Sequence, residues 1–264
     1  MSIPLKKRSV GELLSLTFQL GFQNFAKLFL IALLFQVPNL LVQLGFPTLE
    51  REGDKTIASL GAVVVLLLSL ILGPLQQASM MQVVADAFTS AKTSLGRCLM
   101  IGLKRFLPLL AFSMLNTLLI AIGFVLFFVP GIFFFTVFAV GAPALVVEGL
   151  GPIAAFKRSA ELTRGFRWQV LAFLIVLVLI IGFISGSFGI ISAILSPSSL
   201  GTPAFIIVQW AVSVFSSVFF LAGPVVLYFQ LRIEKENLDI QSLTALVDQI
   251  GRQRQSAGTS PQES

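Results

Sequence analysis

The sequence contains no histidine, and among its 264 residues it has only one cysteine and one tyrosine. Without histidine, the commonest general base and the commonest metal ligand are both missing. The single cysteine, Cys98, excludes a disulfide within the chain, and the apolar residues around it predict an inert thiol. Neither a phosphate-binding loop nor a motif of paired catalytic carboxylates is present. We therefore predict that the protein is not an enzyme, and we expect no catalytic residue, metal ligand or cofactor.

Charge is also scarce. Charged residues make up 11% of the chain, whereas hydrophobic residues make up 56% and the mean hydropathy is +0.95. A soluble domain carries about 25% charged residues because its surface faces water. Disorder over most of the chain requires high charge and few aromatic residues, whereas this chain contains 26 phenylalanines. The composition therefore predicts an integral membrane protein.

Four long segments contain no Asp, Glu, Lys or Arg. They cover residues 28–49, 56–85, 106–147 and 168–231. A helix needs about 20 residues to cross a bilayer, so the first two segments hold one span each and the longer two must fold back. We expect the third to break at Pro130-Gly131 and the fourth at residues 196–203. The result is an all-α membrane domain, residues 25–231, with six predicted spans at 25–45, 57–82, 106–128, 132–149, 169–195 and 204–230.

The charges between the spans predict the orientation. With six spans and a cytoplasmic N-terminus, the cytoplasmic segments contain 16 Lys and Arg residues and the other loops contain two. This positive-inside bias predicts a multi-pass protein of the bacterial cytoplasmic (inner) membrane with both termini in the cytoplasm. The first apolar segment lacks a small-residue cleavage site and is expected to be an uncleaved signal anchor. Since topology explains the net charge of +6, and the loops lack interleaved aromatic residues, we expect no nucleic-acid partner.

Three cytoplasmic segments are amphipathic, and each precedes a pair of spans. Residues 1–24 contain Ser9 and Glu12 at the spacing of a capping box. The second segment begins at Ser94, a residue suited to an N-cap, and the third has Pro152 at a suitable first helical position. We predict that all three are helices on the cytoplasmic membrane surface. Residues 232–250 are predicted to form an amphipathic tail, and the Gln/Ser-rich residues 251–264 to be disordered.

The second span of each pair contains a small residue followed by proline. These prolines are Pro74, Pro143 and Pro224. The pattern favours a threefold repeat of surface helix, span and kinked span, in which neighbouring helices satisfy the freed carbonyl groups. The alternative is that three prolines coincide, because proline is common in membrane helices.

Four stretches of the chain resemble a bacterial family of six-span membrane proteins. They are Val129-Pro130-Gly131-Ile132, Ala142-Pro143-Ala144-Leu145-Val146-Val147-Glu148, residues 151–168 and residues 224–232. The family includes the membrane domain that precedes some glycerophosphodiester phosphodiesterases, and also stand-alone members. The resemblance implies a membrane module. It does not imply phosphodiesterase activity, because this chain has no soluble stretch that would hold the enzyme's barrel and no histidine.

The third amphipathic segment carries the candidate lipid site. Lys157, Arg158 and Arg164 fall within about a third of the helix circumference, and Arg167 follows the turn. We predict that these four cations contact anionic lipid headgroups. Glu161 lies four residues after Lys157 and three after Arg158, and its one carboxylate is expected to pair with both cations.

Glu148 lies at the cytoplasmic end of the fourth predicted span. Its first interpretation is a structural partner for Arg164, Arg167 or Lys157. The alternative is a carboxylate used in transport, because ionisable groups in membrane spans mark ion and proton pathways.

Several spans contain uncharged polar residues. Hydrogen bonds between helices are the default explanation, at about 0.6–2 kcal/mol each. The alternative is a polar path for a solute, and Asn39, Gln76 and Asn116 are the residues we would assign to it.

The sequence therefore favours a non-enzymatic inner-membrane protein with a structural or accessory role. Its basic surface helices would contact anionic membrane lipids or a partner membrane protein, which includes a second copy of the chain. The alternative is a small transporter or lipid translocator that uses the proline-kinked spans, since transporters are built on broken, paired helices.

Overall fold

The computed structural model describes residues 9–49, 55–89, 94–195 and 203–236, and in these ranges the chain is helical with no strand. The helices are α1 (Val10–Gln23), α2 (Phe25–Leu49), α3 (Lys55–Phe88), α4 (Leu95–Leu126), α5 (Phe128–Val137), α6 (Gly141–Glu148), α7 (Pro152–Thr163), α8 (Arg167–Leu195) and α9 (Pro203–Glu236). The predicted break at 196–202 and the predicted tails beyond residue 236 lie outside the described residues.

Six segments of these ranges are long and apolar enough to cross a membrane. They are Phe25–Gly45, Val63–Phe88, Leu95–Leu126, Phe128–Glu148, Arg167–Ile190 and Pro203–Glu236. The all-helical class and the number of spans are therefore confirmed, and the protein is a multi-pass membrane protein. The helices of each predicted pair contact each other, α2 with α3, α4 with α5 and α8 with α9. The threefold repeat itself stays a prediction.

The fourth span differs from the expected single helix. Helix α4 ends at Leu126, Phe127 is extended, and α5 begins at Phe128, so the break precedes Pro130. A proline is tolerated in the first turn of a helix because the amide it lacks has no partner there. Pro143 likewise lies in the first turn of a helix, α6, which follows a turn at residues 138–140. Pro143 therefore lies at the start of a helix and does not kink one, contrary to the prediction. Pro74 and Pro224 lie inside α3 and α9 as predicted.

The second predicted surface helix is not a separate element. Helix α4 runs without interruption from Leu95 through Pro108 to Leu126, and Ser94 at its N-cap makes no side-chain capping bond. Cys98 and Gly102, in the first turns of α4, are buried. An added Cβ at Gly102 would meet Ser79 and Leu75 of α3, so the two backbones approach closely. This packing makes the start of α4 part of the bundle.

Helix α1 begins with the predicted capping box. The backbone N–H of Glu12 donates to Ser9 Oγ at 3.3 Å, and the N–H of Ser9 donates to Glu12 Oε2 at 2.9 Å. The predicted polar stripe is exposed, and the opposite face packs against α9, where the Phe18 and Phe219 ring centroids are 5.1 Å apart. The stripe consists of Glu12, Ser15, Gln19 and Gln23.

One half of the bundle is packed and the other half is open. The packed end combines α1, α6 and α7 with the C-terminal parts of α3 and α9, and every residue from Val225 to Arg232 is buried there. In the open half, α3, α4 and α8 expose large apolar side chains such as Leu66, Leu118 and Phe183. Apolar bands of this kind face lipid, so the open half carries the lipid-facing surface of the bundle.

Candidate functional site

Five side chains at the packed end form a network that we call the ion-pair cluster. Its members are Glu148, Arg158, Tyr228, Arg232 and Glu236. Helix α6 supplies Glu148 and then stops, because Gly149 adopts a left-handed conformation at φ 76° and its N–H closes onto the carbonyl of Leu145. Helix α7 supplies Arg158, and α9 supplies the other three at intervals of four residues, which places them on one helix face.

Glu148 is the centre of this cluster. Arg158 Nε donates to both of its carboxylate oxygens, at 2.9 and 3.2 Å, and the Tyr228 hydroxyl donates to Oε1 at 2.7 Å. Arg232 Nη1 lies 3.8 Å from Oε1 and donates to the Tyr228 oxygen at 3.0 Å. Glu236 accepts from both arginines, from Arg232 Nε at 2.8 Å and from Arg158 Nη2. Two positive and two negative side chains therefore compensate one another.

The cluster joins α7 to the core. The Arg232 side chain is 6% exposed and that of Glu148 is 14% exposed, so both charges depend on protein partners in place of water. Burial lowers the pKa of Arg158, but hydrogen bonds and charges from Glu236 and Glu148 outweigh burial, and the pKa lies above the usual range for arginine. Arg158 thus stays charged and holds α7 against α6 and α9.

The structure gives Glu148 partners other than the expected ones. Its partners are Arg158 and Arg232, whereas Lys157, Arg164 and Arg167 are exposed. Both carboxylate oxygens are bonded, which favours the structural interpretation over a transport carboxylate. The spacing of Tyr228, Arg232 and Glu236 was the sequence signal for this site, but residue 232 had been expected to begin a cytoplasmic tail.

The predicted headgroup residues divide into two groups. Arg158 belongs to the ion-pair cluster, whereas the other three lie around what we call the basic corner, where α7 turns into α8. The basic corner consists of Lys157, Glu161, Arg164, Arg167 and Trp168, and all five side chains are exposed. Gly165, at φ 95°, makes the turn.

An open groove of about 660 Å³ runs across the basic corner, between Glu161, Arg164, Arg167 and Trp168. The Arg167 guanidinium lies 4.8 Å from the centroid of the Phe133 ring, which fixes one wall by a cation–π contact. The Glu161 side chain forms no ion pair with the described residues, although its backbone carbonyl accepts from Lys235 Nζ. The expected pairing of Glu161 with Arg158 is therefore replaced by pairing of Arg158 within the cluster.

The structure brings together two of the three residues of the predicted polar path. Asn39 and Gln76 line a cavity of about 360 Å³ between α2, α3 and α9, which we call the polar cavity. A second cavity of about 900 Å³, the apolar cavity, lies between α3, α4 and α9. Asn116 lines neither, and its Oδ1 is buried without a hydrogen-bond partner among the described residues.

Hydrogen bonds between helices account for other polar residues of the spans. Gln36 Nε2 and Gln76 Nε2 both donate to Ser217 Oγ, at 3.2 and 3.4 Å, and the hydroxyls of Ser185 and Ser216 lie 2.8 Å apart. These bonds link α2, α3 and α8 to α9. They agree with the default interpretation of uncharged polar groups in membrane helices.

Asp86 is a buried carboxylate that the sequence analysis overlooked. It is 0% exposed, Gln82 Nε2 donates to Oδ1 at 2.6 Å, and Cys98 Sγ lies 3.9 Å from Oδ2. The second predicted span ends at residue 82, whereas α3 continues through Asp86 to Phe88. The i,i+4 spacing of Gln82 and Asp86 was the available signal that the helix continues. Within the described ranges, no three His, Cys, Asp or Glu residues are grouped as metal ligands.

Residues 109–229 match the model of a family described as Domain of unknown function (DUF7847). The matched region runs from the middle of α4 into α9 and includes Glu148, Arg158 and Tyr228, but it ends before Arg232. No curated protein and no solved structure matches the chain. The family match does not link the chain to the membrane domains of glycerophosphodiester phosphodiesterases, so that resemblance stays a prediction.

Proposed function

We propose that the protein is a non-enzymatic structural or accessory module of the bacterial inner membrane, and that its basic corner binds anionic lipid headgroups at the cytoplasmic face. One observation carries this proposal. The ion-pair cluster neutralises Arg158 and holds α7 in place, while Arg164 and Arg167 line an open groove and Lys157 is exposed on the same helix, α7. A cation near an anionic membrane surface contributes about 1 kcal/mol.

The tryptophan of the basic corner, Trp168, also supports a position of this corner at the lipid headgroups. Trp168 is 84% exposed at the start of α8, directly before the apolar part of that span. Tryptophan is enriched where the hydrocarbon meets the headgroups, because its ring is apolar and its N–H is polar. The groove therefore combines cations for a phosphate group with a ring at the depth of the headgroups.

The experiment compares two double variants in nanodiscs that contain phosphatidylglycerol and phosphatidylcholine. Arg164→Glu/Arg167→Glu reverses two charges of the basic corner, and Arg97→Glu/Lys104→Glu reverses two exposed charges of α4 as the matched control. We expect the first variant to lower the affinity for phosphatidylglycerol by about thirtyfold, which corresponds to about 2 kcal/mol for two cations. Mass spectrometry of the retained lipid measures the difference.

Three outcomes would contradict the proposal. Equal loss of phosphatidylglycerol in both variants would show a general effect of charge. A changed orientation of the variant in cells, with unaltered lipid retention in nanodiscs, would show that these cations serve topology only. Recovery of a stoichiometric protein on purification from cells, which the first variant alone fails to retain, would assign the corner to a protein partner.

A lipid translocator or small transporter is the second candidate, because Asn39 and Gln76 line one intramembrane cavity beside Pro74. Under this hypothesis Asn39→Leu abolishes flux in proteoliposomes while the fold survives. Asn116→Leu is the control, since Asn116 lines neither cavity. Unchanged flux in Asn39→Leu would exclude the polar cavity as part of a transport path.

A further inference from the structure

The polar cavity and the apolar cavity adjoin each other. Gln36, Ser69, Gly73 and Gln76 line both, so the two cavities share a wall. The cavities have volumes of about 360 and 900 Å³. Pockets for small ligands have volumes of about 300–1,000 Å³, so the combined space accepts a ligand of considerable size.

The polar cavity offers hydrogen-bond acceptors. Gln36 and Gln76 use their Nε2 groups on Ser217, and their side-chain oxygens accept no bond from the described part of the chain. Asn39 Oδ1 is buried and lacks a partner among the same residues. These oxygens can each accept a hydrogen bond from a hydroxyl group, so they fit a ligand that carries hydroxyl groups.

The lining determines the charge of that ligand. Among the described residues, no Asp, Glu, Lys or Arg lines either cavity. A charged headgroup would lose its hydration here without gaining an opposite charge, which is unfavourable. An uncharged headgroup loses much less, so the site favours neutral ligands over phospholipids.

The apolar cavity accounts for the remainder of the ligand. Its walls include Leu70, Met114, Leu118 and Phe220, and all four of these side chains are also exposed on the apolar surface of the open half. The cavity is therefore continuous with the surface that faces lipid. An alkyl chain that enters from the bilayer remains in apolar surroundings along this route.

We propose that the two cavities form one binding site for a membrane lipid with an uncharged, hydroxyl-bearing headgroup, the class to which diacylglycerol belongs. The headgroup lies against Gln36, Asn39 and Gln76, and one chain lies between α3 and α4. This site is separate from the basic corner in place and in ligand charge. Failure of one proposal therefore leaves the other standing.

The experiment uses two photoactivatable probes in nanodiscs, diacylglycerol and phosphatidylglycerol with the same diazirine-bearing chain. We expect the diacylglycerol probe to label peptides of α3 and α4 at the apolar cavity about fivefold more than the phosphatidylglycerol probe does. A fivefold difference in binding corresponds to the free energy of about one hydrogen bond. Equal labelling by the two probes would overturn the proposal. Labelling by neither probe, together with binding of free glycerol in the polar cavity, would also overturn the proposal.

A matched pair of glycine variants tests the place of binding. An added Cβ meets no atom within 4 Å at Gly73, which lines both cavities, or at Gly182, which lies exposed on α8. We expect Gly73→Leu to lower diacylglycerol labelling at least about fivefold by filling the shared space, and Gly182→Leu to leave it unchanged. Equal labelling in the two variants would refute the site.

Asn39→Leu tests the headgroup contact and keeps the proposal falsifiable if Gly73→Leu does not fold. It removes a buried oxygen that has no partner, so the thermal midpoint is expected to stay constant or rise. The preference for diacylglycerol over phosphatidylglycerol is expected to fall about fivefold. An unchanged preference would remove Asn39 from the site and contradict the proposed headgroup position.

Discussion

Glu148→Gln is the substitution that most directly tests the ion-pair cluster. The change removes one negative charge and preserves the shape of the side chain. Arg158 and Arg232 would then share the single carboxylate of Glu236, and the Tyr228 hydroxyl would lose a charged acceptor. One positive charge of the cluster would stay uncompensated at the packed end.

The expected destabilisation is about 3 kcal/mol. Removal of one partner from a buried ion pair costs about 3–5 kcal/mol, whereas an exposed pair contributes about 0.2–1 kcal/mol. The Arg232 side chain is 6% exposed, but that of Arg158 is 23% exposed and reaches water. This partial exposure places the estimate at the lower end of the buried range. For a protein of this size the thermal midpoint falls by about 2–4 °C per kcal/mol, which predicts a decrease of about 6–12 °C.

Cys98 provides the assay. It is the only cysteine of the chain and is 0% exposed at the packed end. A maleimide that fluoresces on reaction with a thiol therefore reports the opening of α4 from α3 during a temperature ramp. Glu161→Gln is the matched control, because its exposed side chain forms no ion pair with the described residues. We expect the control to change stability by less than about 0.5 kcal/mol.

The comparison of the two variants decides the result. If Glu148→Gln and Glu161→Gln unfold within 1–2 °C of each other, on the order of 0.5 kcal/mol, the cluster does not stabilise the packed end and the reasoning is refuted. A lower midpoint in Glu148→Gln alone supports the cluster. Arg158→Met then shows whether the loss comes from an uncompensated charge or from the ion pair as such.

The remaining predictions concern backbone and capping positions, each measured by the same thiol assay. Gly102→Ala is expected to lower the free energy of unfolding by about 1–3 kcal/mol, because the added Cβ would meet Ser79. Gly96→Ala on the same helix is the control, since its Cβ meets no atom within 4 Å. Equal thermal midpoints of the two variants would contradict the close approach of α3 and α4. Ser9→Ala removes the capping bond of α1 and should cost about 1 kcal/mol, a prediction that an unchanged midpoint would oppose. Gly165→Ala requires an alanine to adopt φ 95° and should lower the free energy of unfolding by about 1–2 kcal/mol. An unchanged thermal midpoint would show that the turn rearranges.

Local features of the sequence predicted much of the fold. The six spans could be recognised because hydropathy is a property of consecutive residues, and the membrane solvent requires each apolar segment to form its own hydrogen bonds as a helix. The capping box of Ser9 and Glu12 and the position of Pro152 also depend on neighbours within one turn. Prolines were less informative, because Pro130 and Pro143 are tolerated in first turns and therefore do not show where a helix breaks.

The candidate sites depended on contacts between distant parts of the chain. The sequence alone determined that cations gather around residues 157–167 and that amide side chains occur within the spans. Only the tertiary structure decided that Arg158 turns inward to Glu148 and Glu236, and that Asn39 and Gln76, but not Asn116, line a common cavity. The physical reason is that a charge or an amide binds whichever partner the packing of helices brings within about 3 Å, and sequence spacing specifies that partner only within a single helix.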